Sequence, residues 1–114
     1  MDNCIFCKIA NGEIPSNKVY EDEKVLAFRD IKPVAPVHIL VVPKKHYASI
    51  MDIAGEEMDI TAHVSTVIQR IAKEEGIAAD GFRVVINCGK NGGQEVDHLH
   101  YHILAGRNLT WPPG

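Results

Sequence analysis

The sequence contains few cysteines, and their arrangement does not suit a disulfide framework. Three cysteines occur in 114 residues, and two of them, Cys4 and Cys7, lie close together. Small domains held by disulfides pair most of their cysteines in an oxidising compartment, so we expect this chain to work in a reducing one. Its first residues show no charged segment followed by an apolar one, which favours a cytoplasmic protein over a secreted one.

An excess of basic residues and a long apolar segment are also missing. The formal net charge is −3 at pH 7, whereas proteins that bind nucleic acid without sequence preference are normally basic. The apolar residues 39–42 are followed at once by Pro43 and two lysines, far short of the ~20 residues that cross a bilayer. The sequence therefore predicts neither a nucleic-acid partner nor a membrane span.

The residues that are present are sufficient for one small α+β domain over residues 1–114. Hydrophobic residues make up 46% of the chain, an ordinary fraction for a globular protein. Apolar residues at three- and four-residue spacing predict a long helix over residues 55–75, and a short helix is predicted over residues 4–10. Five strands are predicted, at residues 19–22, 24–28, 38–42, 82–86 and 98–104. Because these strands are mostly consecutive, we expect one antiparallel sheet.

Three of the six histidines stand at alternate positions near the end of the chain, as His98, His100 and His102. On a β-strand, alternate side chains share a face, so these imidazoles would line one face while the residues between them enter the core. Imidazole titrates near neutral pH and therefore suits nucleophilic, acid–base or metal-binding chemistry. A chance histidine-rich edge strand is the plainer alternative, which the strict alternation disfavours.

The two early cysteines form a Cys-x-x-Cys motif, Cys4 to Cys7. Two intervening residues allow both sulfurs to reach one metal ion, and a closed tetrahedral zinc site would need two further ligands. His46 and His98 are the candidates. A redox dithiol and two unrelated thiols remain open as alternatives, although no strand precedes the motif as a thioredoxin-like site would require.

Residues 87–95 form a glycine-rich loop that leads directly into the histidine row. Glycines allow main-chain N–H groups to converge on an anion, so this loop could hold a phosphate beside His100. By itself such a loop is more often a plain hairpin turn, and the Gly-Lys-Ser/Thr ending of a P-loop is missing. His38, at the start of its own predicted strand, could approach the row from a neighbouring strand.

Taken together, these segments resemble the histidine triad superfamily, and more closely its branch of nucleotide-binding phosphoramidases, the Hint proteins. The similarity runs nearly end to end and includes several specific short segments in the same order. They are residues 4–9, 13–15, 27–31, 35–38, 43–46, Asn87, residues 92–94, the histidine row and residues 111–114. The resemblance implies a homodimer whose two five-stranded sheets join edge to edge.

The resemblance also implies an activity, which is hydrolysis of the P–N bond in purine nucleoside 5′-phosphoramidates, together with action on aminoacyl-adenylates. His100 would be the nucleophile and would form a nucleotidyl-histidine that water then cleaves, without any cofactor in the chemistry. His102 and His38 would contact phosphate oxygens and assist proton transfer to the departing amine.

By the same resemblance, a nucleotide would be held by residues along most of the chain. Asp30 would bind the ribose hydroxyls, and Asn87, Gly93 and Gln94 would position the phosphate. The base would enter an apolar slot formed by Ile5, Phe6, Ile9, Phe28 and Ile31. The tail with Trp111 would reach toward the partner subunit's site, although a terminal tryptophan packs equally often on its own domain.

The resemblance also implies a complete set of four zinc ligands, since some relatives hold a structural zinc ion at the positions of Cys4, Cys7, His46 and His98.

Glu95 departs from the family pattern, because well-known relatives carry a small hydroxyl residue there that touches the leaving group. A carboxylate at that position could favour a cationic amine as leaving group. Asp97 likewise replaces an aromatic residue beside the row.

Three other activities remain open from the sequence. A dinucleoside polyphosphate hydrolase of the same superfamily would also use the middle histidine. A zinc hydrolase would hold a catalytic metal in the histidine row itself. A non-catalytic module would bind purine nucleotides without turnover.

Overall fold

The computed structural model describes residues 3–114, in which five strands form one antiparallel sheet. The helices are α1 (Ile5–Ala10) and α2 (Asp59–Glu74), and the strands are β1 (Lys18–Glu21), β2 (Val25–Arg29), β3 (Val37–Pro43), β4 (Arg83–Val85) and β5 (Tyr101–Ala105). The order across the sheet is β1-β2-β3-β5-β4, and all four strand pairs are antiparallel. The predicted fold is therefore confirmed. Within residues 3–114, no helix has the length and apolar character needed to cross a membrane.

Strands β2 and β3 lie inside the sheet, with β3 at its centre, and both are apolar on both faces. Val25, Ala27, Ile39 and Val41 join the core under α2. The alternate residues of the same strands, Leu26, Phe28, Leu40 and Val42, pack with Phe6 and Ile9 of α1. Because side chains alternate along a strand, a nearly continuous apolar segment supplies two cores at once. Helix α1 is thereby placed on the sheet face opposite the long helix.

The long helix begins four residues later than the spacing predicts. A 3₁₀ turn, Gly55–Met58, precedes it, in which the main-chain N–H of Glu57 donates to the carbonyl of Ala54. Gly55 has a left-handed φ of +54°, and Met58 offers no side-chain cap, so the first turn closes with the tighter hydrogen bond. The helix ends where predicted, with Gly76 in a left-handed conformation.

The last strand begins at Tyr101, three residues later than predicted. The main-chain N–H of Leu99 donates to the carbonyl of Tyr47, at 2.7 Å, instead of to a strand neighbour. The side chains nevertheless alternate as they would on a strand. Leu99 and Tyr101 enter the core under α2, whereas His98 and His100 lie against Phe6 on the α1 side. The prediction of a shared histidine face is confirmed, and the strand boundary is corrected.

The carboxylate of Asp22 closes the hairpin between β1 and β2. It accepts hydrogen bonds from the main-chain N–H groups of Lys24 and Val25, from the hydroxyl of Tyr20 and from Nε2 of His63, at 2.7–2.9 Å. Burial opposes ionisation of this group, but the hydrogen bonds, beginning with that of Lys24, lower the pKa of Asp22 to about 2.

We expect Asp22→Asn to lower the free energy of unfolding by about 1–2 kcal/mol at pH 7, as the loss of several hydrogen bonds to a carboxylate. Because the folded-state pKa lies below the ordinary value, this stabilisation is complete above that ordinary value and is lost as the pH falls toward about 2. Urea unfolding of both proteins should show a gap that narrows between pH 7 and about pH 3. A gap that widens in acid would contradict this role.

Candidate active site and metal cluster

A cleft of about 630 Å³ lies between α1 and the histidine face of the sheet. Most of the residues predicted to bind a nucleotide converge on it, from five parts of the chain. Its lining includes Ile5, Phe6, Ile9, Phe28, Asp30, Ile31, His38, Asn87, Gly93, Glu95, His100 and His102. The structure thus brings the three proposed catalytic histidines and the proposed base slot to one cavity.

The hydrogen bonding of His100 leaves a lone pair on one ring nitrogen. Its Nδ1 lies 2.7 Å from the main-chain carbonyl oxygen of His98, and a carbonyl oxygen can only accept. The proton of the neutral ring is therefore on Nδ1, and Nε2 keeps its lone pair. The ring is buried and packs edge-on against Phe6, with ring centroids 5.0 Å apart. A fixed imidazole with a free Nε2 is a competent nucleophile.

The other two histidines, His38 and His102, form a chain of hydrogen bonds that places the proton of each neutral ring on Nε2 rather than on Nδ1. The main-chain N–H of Val34 donates to Nδ1 of His38, at 3.2 Å, so neutral His38 carries its proton on Nε2. That nitrogen lies 2.9 Å from Nδ1 of His102 and donates to it. Neutral His102 then carries its own proton on Nε2, which is buried and has no hydrogen-bond partner among the described residues. The arrangement offers the cleft an N–H donor.

The electrostatic surroundings keep both rings of this pair neutral near pH 7. Burial, reinforced by the neighbouring His100 and His38, lowers the pKa of His102 to about 4. Burial also lowers the pKa of His38, although the Asp30 carboxylate, 3.5 Å from its Nε2, acts in the other direction. Neutral rings are what the hydrogen-bond pattern requires.

Four predicted ligands meet at the amino end of α1, where Cys4, Cys7, His46 and His98 bring their donor atoms within 4.8 Å of one another. Nδ1 of His98 lies 3.2 Å from Sγ of Cys4 and 3.5 Å from Sγ of Cys7. Nδ1 of His46 lies 3.3 Å from Sγ of Cys7 and 3.2 Å from Nδ1 of His98.

These separations match the edges of a zinc tetrahedron. Bonds of about 2.3 Å to sulfur and about 2.05 Å to nitrogen would place sulfur about 3.6 Å from nitrogen and the two nitrogens about 3.3 Å apart. Nε2 of His98 donates to the carbonyl of Pro43, at 2.8 Å, which directs the lone pair of Nδ1 toward the sulfurs. Burial and the neighbouring Cys4 raise the pKa of Cys7 to about 11, and a divalent cation would stabilise the thiolate instead. The cluster therefore fits a metal ion.

Two residues predicted to bind the nucleotide are not brought to the cleft. The side-chain amide of Gln94 donates to the carbonyls of Ala48 and Val96 and accepts from the N–H of Gly89, so it fixes the glycine-rich loop. The side chain of Trp111 is 80% exposed, although Pro113 of the same tail lines the cleft. Ile31 lies at the rim and is 93% exposed.

Sequence reasoning missed one group, the main-chain N–H of Val34 that sets the proton position on His38. The carbonyl of Val34, in the next peptide group, accepts a hydrogen bond from the guanidinium of Arg107, at 3.0 Å, which restrains this residue from the far end of β5. A main-chain donor leaves no mark in the sequence. The sequence offers one indication of a fixed main chain here, which is the segment 33–36, Pro-Val-Ala-Pro, since its two prolines restrict the conformation of the loop.

The fold and the site define a class of α+β proteins that present a row of histidines to a nucleotide-sized cleft. A profile described as "HIT domain" matches residues 11–109, and the chain belongs to this family. It is similar to a solved histidine triad protein from Clostridium difficile, with 69% identity, a TM-score of 0.93, and coverage of 96% of this chain and 95% of that one.

Two named relatives add information on activity and metal binding. The purine nucleoside phosphoramidase of Escherichia coli K12 is 46% identical, over 95% of this chain and 91% of its own length. The 14 kDa zinc-binding protein of Zea mays is 52% identical, over 96% of this chain and 87% of its own. A phosphoramidase is a hydrolase, and the predicted enzyme class, hydrolase, is confirmed.

Proposed function

We propose that this protein hydrolyses the P–N bond of purine nucleoside 5′-phosphoramidates through a covalent nucleotidyl-histidine. The observation that carries the proposal is the pairing of two ring nitrogens in one cleft, the free lone pair on Nε2 of His100 and the unpartnered Nε2 of His102. The 46% sequence identity with the purine nucleoside phosphoramidase of Escherichia coli supports this proposal. We extend the same attack on the α-phosphorus to aminoacyl-adenylates, in which the bond that breaks is a P–O bond and the leaving group is the carboxylate of the amino acid.

The chemistry proceeds in two steps that conserve atoms and protons. Nε2 of His100 attacks the α-phosphorus, the P–N bond breaks, and the departing nitrogen takes a proton from His102, which is neutral in the free protein and gains this proton from solvent when the bound phosphate raises its pKa. Water then attacks the phosphorus of the adduct, gives a proton back to His102, and releases His100 and the nucleoside monophosphate. Phe6 and the carbonyl of His98 hold the nucleophilic ring in one orientation throughout.

The remaining lining residues would bind the nucleotide itself. The carboxylate of Asp30 lies on the side of the cleft at which β2 ends, where it can accept hydrogen bonds from ribose hydroxyls. Phe6, Ile9 and Phe28 are buried apolar residues that line the cleft, and together they form a slot suited to a flat purine. Asn87 and the main chain at Gly93 can donate hydrogen bonds to the phosphate.

Glu95 occupies the boundary between the cleft and an adjoining groove of about 550 Å³. Its side chain is exposed and makes no ion pair within residues 3–114. A leaving group that departs from the phosphorus away from the base slot would pass this carboxylate. We therefore propose that Glu95 favours an amine leaving group that carries positive charge.

If His102 supplies the proton to the leaving group, its pKa should rise when a nucleotide binds. We expect the ring of His102 to titrate near pH 4 in the free protein, as burial dictates, and at least about one pH unit higher with AMP bound, because a neighbouring phosphate favours the imidazolium. NMR of the histidine ring protons measures both values, and the variant His102→Gln identifies the resonance. His63, outside the cleft, serves as an internal reference that AMP should leave unchanged. An unshifted His102 signal in the AMP complex would contradict the assigned role.

We propose that two chains join through β4 into one continuous sheet. β4 is an edge strand flanked by exposed apolar side chains, with Phe82, Val84 and Ile86 each 37–39% exposed. The guanidinium of Arg83 holds the tail beside this edge through the carbonyls at Leu109 and Thr110. The other edge strand, β1, is instead marked by charged groups, including the ion pair of Lys18 with Glu21.

We expect Val84→Lys to convert the proposed dimer to a monomer, since a charge would be buried at the centre of the joined edge. Sedimentation velocity of the two proteins at equal concentration measures the change. Lys18→Ala on β1 is the matched control and should sediment as the wild type does. A wild-type protein that sediments as a monomer would refute the proposed assembly.

The proposed activity is tested by offering the protein two substrates in parallel, an adenosine 5′-phosphoramidate and a diadenosine polyphosphate. We expect the first to yield AMP and free amine much faster than the second is cleaved. Preferred cleavage of the polyphosphate would favour the other branch of the superfamily. AMP binding with no turnover of either compound would favour a non-catalytic module.

We further propose that the four-residue cluster holds zinc as a structural ion, in agreement with the name of the maize relative. The ion would join the amino end of α1 to the two histidine-bearing segments. None of the steps above passes through it. Activity that survives complete exchange of zinc for cadmium would support this structural role.

A further inference from the structure

We propose that the metal cluster positions the catalytic nucleophile and one wall of the nucleotide cleft, so that metal binding and nucleotide binding strengthen each other. The inference rests on the proposed function, because it takes His100 as the nucleophile and the cleft as the nucleotide site. It assigns to Cys4, Cys7, His46 and His98 a role in binding affinity beyond holding the fold together.

The first link between the two sites is a single residue. His98 contributes Nδ1 to the metal cluster, and its main-chain carbonyl oxygen accepts the hydrogen bond from Nδ1 of His100, at 2.7 Å. The side chain of His98 is fully buried, and its other ring nitrogen is held by the carbonyl of Pro43. A metal ion that fixes this ring also fixes the acceptor that keeps the proton of His100 on Nδ1 and the lone pair on Nε2.

The second link is helix α1. Cys4 and Cys7 stand on either side of Phe6, whose ring packs edge-on against both His98 and His100, with centroid distances of 6.0 and 5.0 Å. Neighbouring Ile5 and Ile9 line the cleft. With six residues, α1 is far shorter than the ~12–15 residues at which isolated helices become even marginally stable. Its position on the sheet therefore depends on its tertiary contacts and on the two sulfur ligands.

These links make the two binding events energetically coupled. Without metal, α1 and the carbonyl of His98 are less restrained, and a nucleotide must order them when it binds. With metal in place, that ordering is complete before the nucleotide arrives. Linkage then requires that the nucleotide raise the affinity for metal by the same factor by which the metal raises the affinity for nucleotide. We expect a factor of about five to twenty, within the usual range for coupled sites.

The test measures zinc transfer in the absence of turnover. Zinc-loaded protein is equilibrated with a chromogenic chelator, with and without saturating AMP, and the zinc retained is read from the absorbance of the chelator complex. We expect AMP to raise the apparent zinc affinity by the factor above. Calorimetry of AMP binding to zinc-loaded and metal-free protein should return the same factor, with weaker binding to the metal-free form.

Two variants separate positioning from general stability. Phe6→Leu keeps all four ligands and an apolar residue, so it should bind one zinc per chain, but the factor by which saturating AMP strengthens zinc binding should fall at least about twofold, since only the link through the carbonyl of His98 remains. Lys8→Ala lies on the same short helix, outside the lining of the cleft, and should retain the wild-type factor. ¹⁵N chemical shifts of the His100 ring provide an independent readout. In the zinc-loaded protein the neutral ring should carry its proton on Nδ1 only, whereas metal removal should give a mixture of the Nδ1-H and Nε2-H tautomers.

The outcomes distinguish this inference from the function on which it rests. A zinc-transfer equilibrium that AMP leaves unchanged, in a protein that binds AMP and hydrolyses the phosphoramidate, overturns the coupling and leaves the activity intact. Failure of the zinc-loaded protein to bind AMP overturns the proposed function instead. If metal-free protein unfolds, the comparison of wild type with Phe6→Leu still decides the matter, since both are measured from the zinc-loaded state.

Discussion

Replacing His100 by alanine is expected to lower kcat/KM for an adenosine 5′-phosphoramidate by at least about 10³-fold, in line with the loss of a covalent nucleophile in other enzymes. Among the described residues that line the cleft, no other histidine nitrogen offers a free lone pair to substitute for it. The two nitrogens of His38 and Nδ1 of His102 are engaged in hydrogen bonds, and Nε2 of His102 carries the proton that the leaving group needs. The variant should still bind AMP, because the base slot and the phosphate contacts remain.

His63→Gln is the matched control for this experiment, since it removes an imidazole outside the cleft. His63 contacts Asp22 in the β1–β2 hairpin, so the variant should lose a little stability and keep wild-type activity at 25 °C. Steady-state kinetics and AMP titration of the three proteins give the result. Turnover by His100→Ala within about tenfold of the wild type would show that the imidazole does not form the adduct.

Loss of one metal ligand is expected to have the largest effect on stability. The cluster links α1 to the segments that contain His46 and His98, and these connections are distant in sequence. An ion present at a thousand times its dissociation constant contributes about 4 kcal/mol to the folded state. For a domain of this size, that corresponds to a fall in Tm of about 15 °C. We therefore expect Cys7→Ser to unfold about 15 °C below the zinc-loaded wild type.

The third cysteine provides the control for this second prediction. Cys88 is half-buried and lies outside the cluster, so Cys88→Ser should lower Tm by only a few degrees and keep one zinc per chain. Thermal unfolding with and without a chelator should show a strong chelator effect for the wild type and Cys88→Ser, and almost none for Cys7→Ser. A chelator-insensitive wild-type protein would exclude a stabilising ion at this cluster.

Much of the fold follows from patterns that the sequence displays directly. The alternation of His98, His100 and His102 with apolar residues predicts which side chains share a face, and it holds even where the ladder of β5 has not yet begun. The spacing of apolar residues places α2, because one side of a helix must be buried. The starting residues of α2 and β5 were predicted less accurately. The left-handed φ of Gly55 delays the start of α2, and the hydrogen bond from Leu99 to Tyr47 delays the start of β5; neither can be read from the spacing of apolar residues.

The site was predicted less completely, and the reason is physical. Cys4, Cys7, His46 and His98 were identifiable because their side chains are chemically distinctive, and the fold brings them together. The contribution of Val34 is a main-chain N–H, which every residue except proline has. The role of Gln94 was also not predictable from the sequence. A side-chain amide can bind either a phosphate or main-chain carbonyls, and only the fold determines that this one donates to carbonyls.

The most direct test of the covalent mechanism is intact-mass analysis of protein mixed briefly with an adenosine 5′-phosphoramidate and quenched in alkali, because a P–N bond to histidine is hydrolysed in acid. We expect a transient species heavier by one adenylyl group, located on His100 by peptide mapping and absent from His100→Ala. Full turnover with no such species at any time, or with the adenylyl group on another residue, would contradict it.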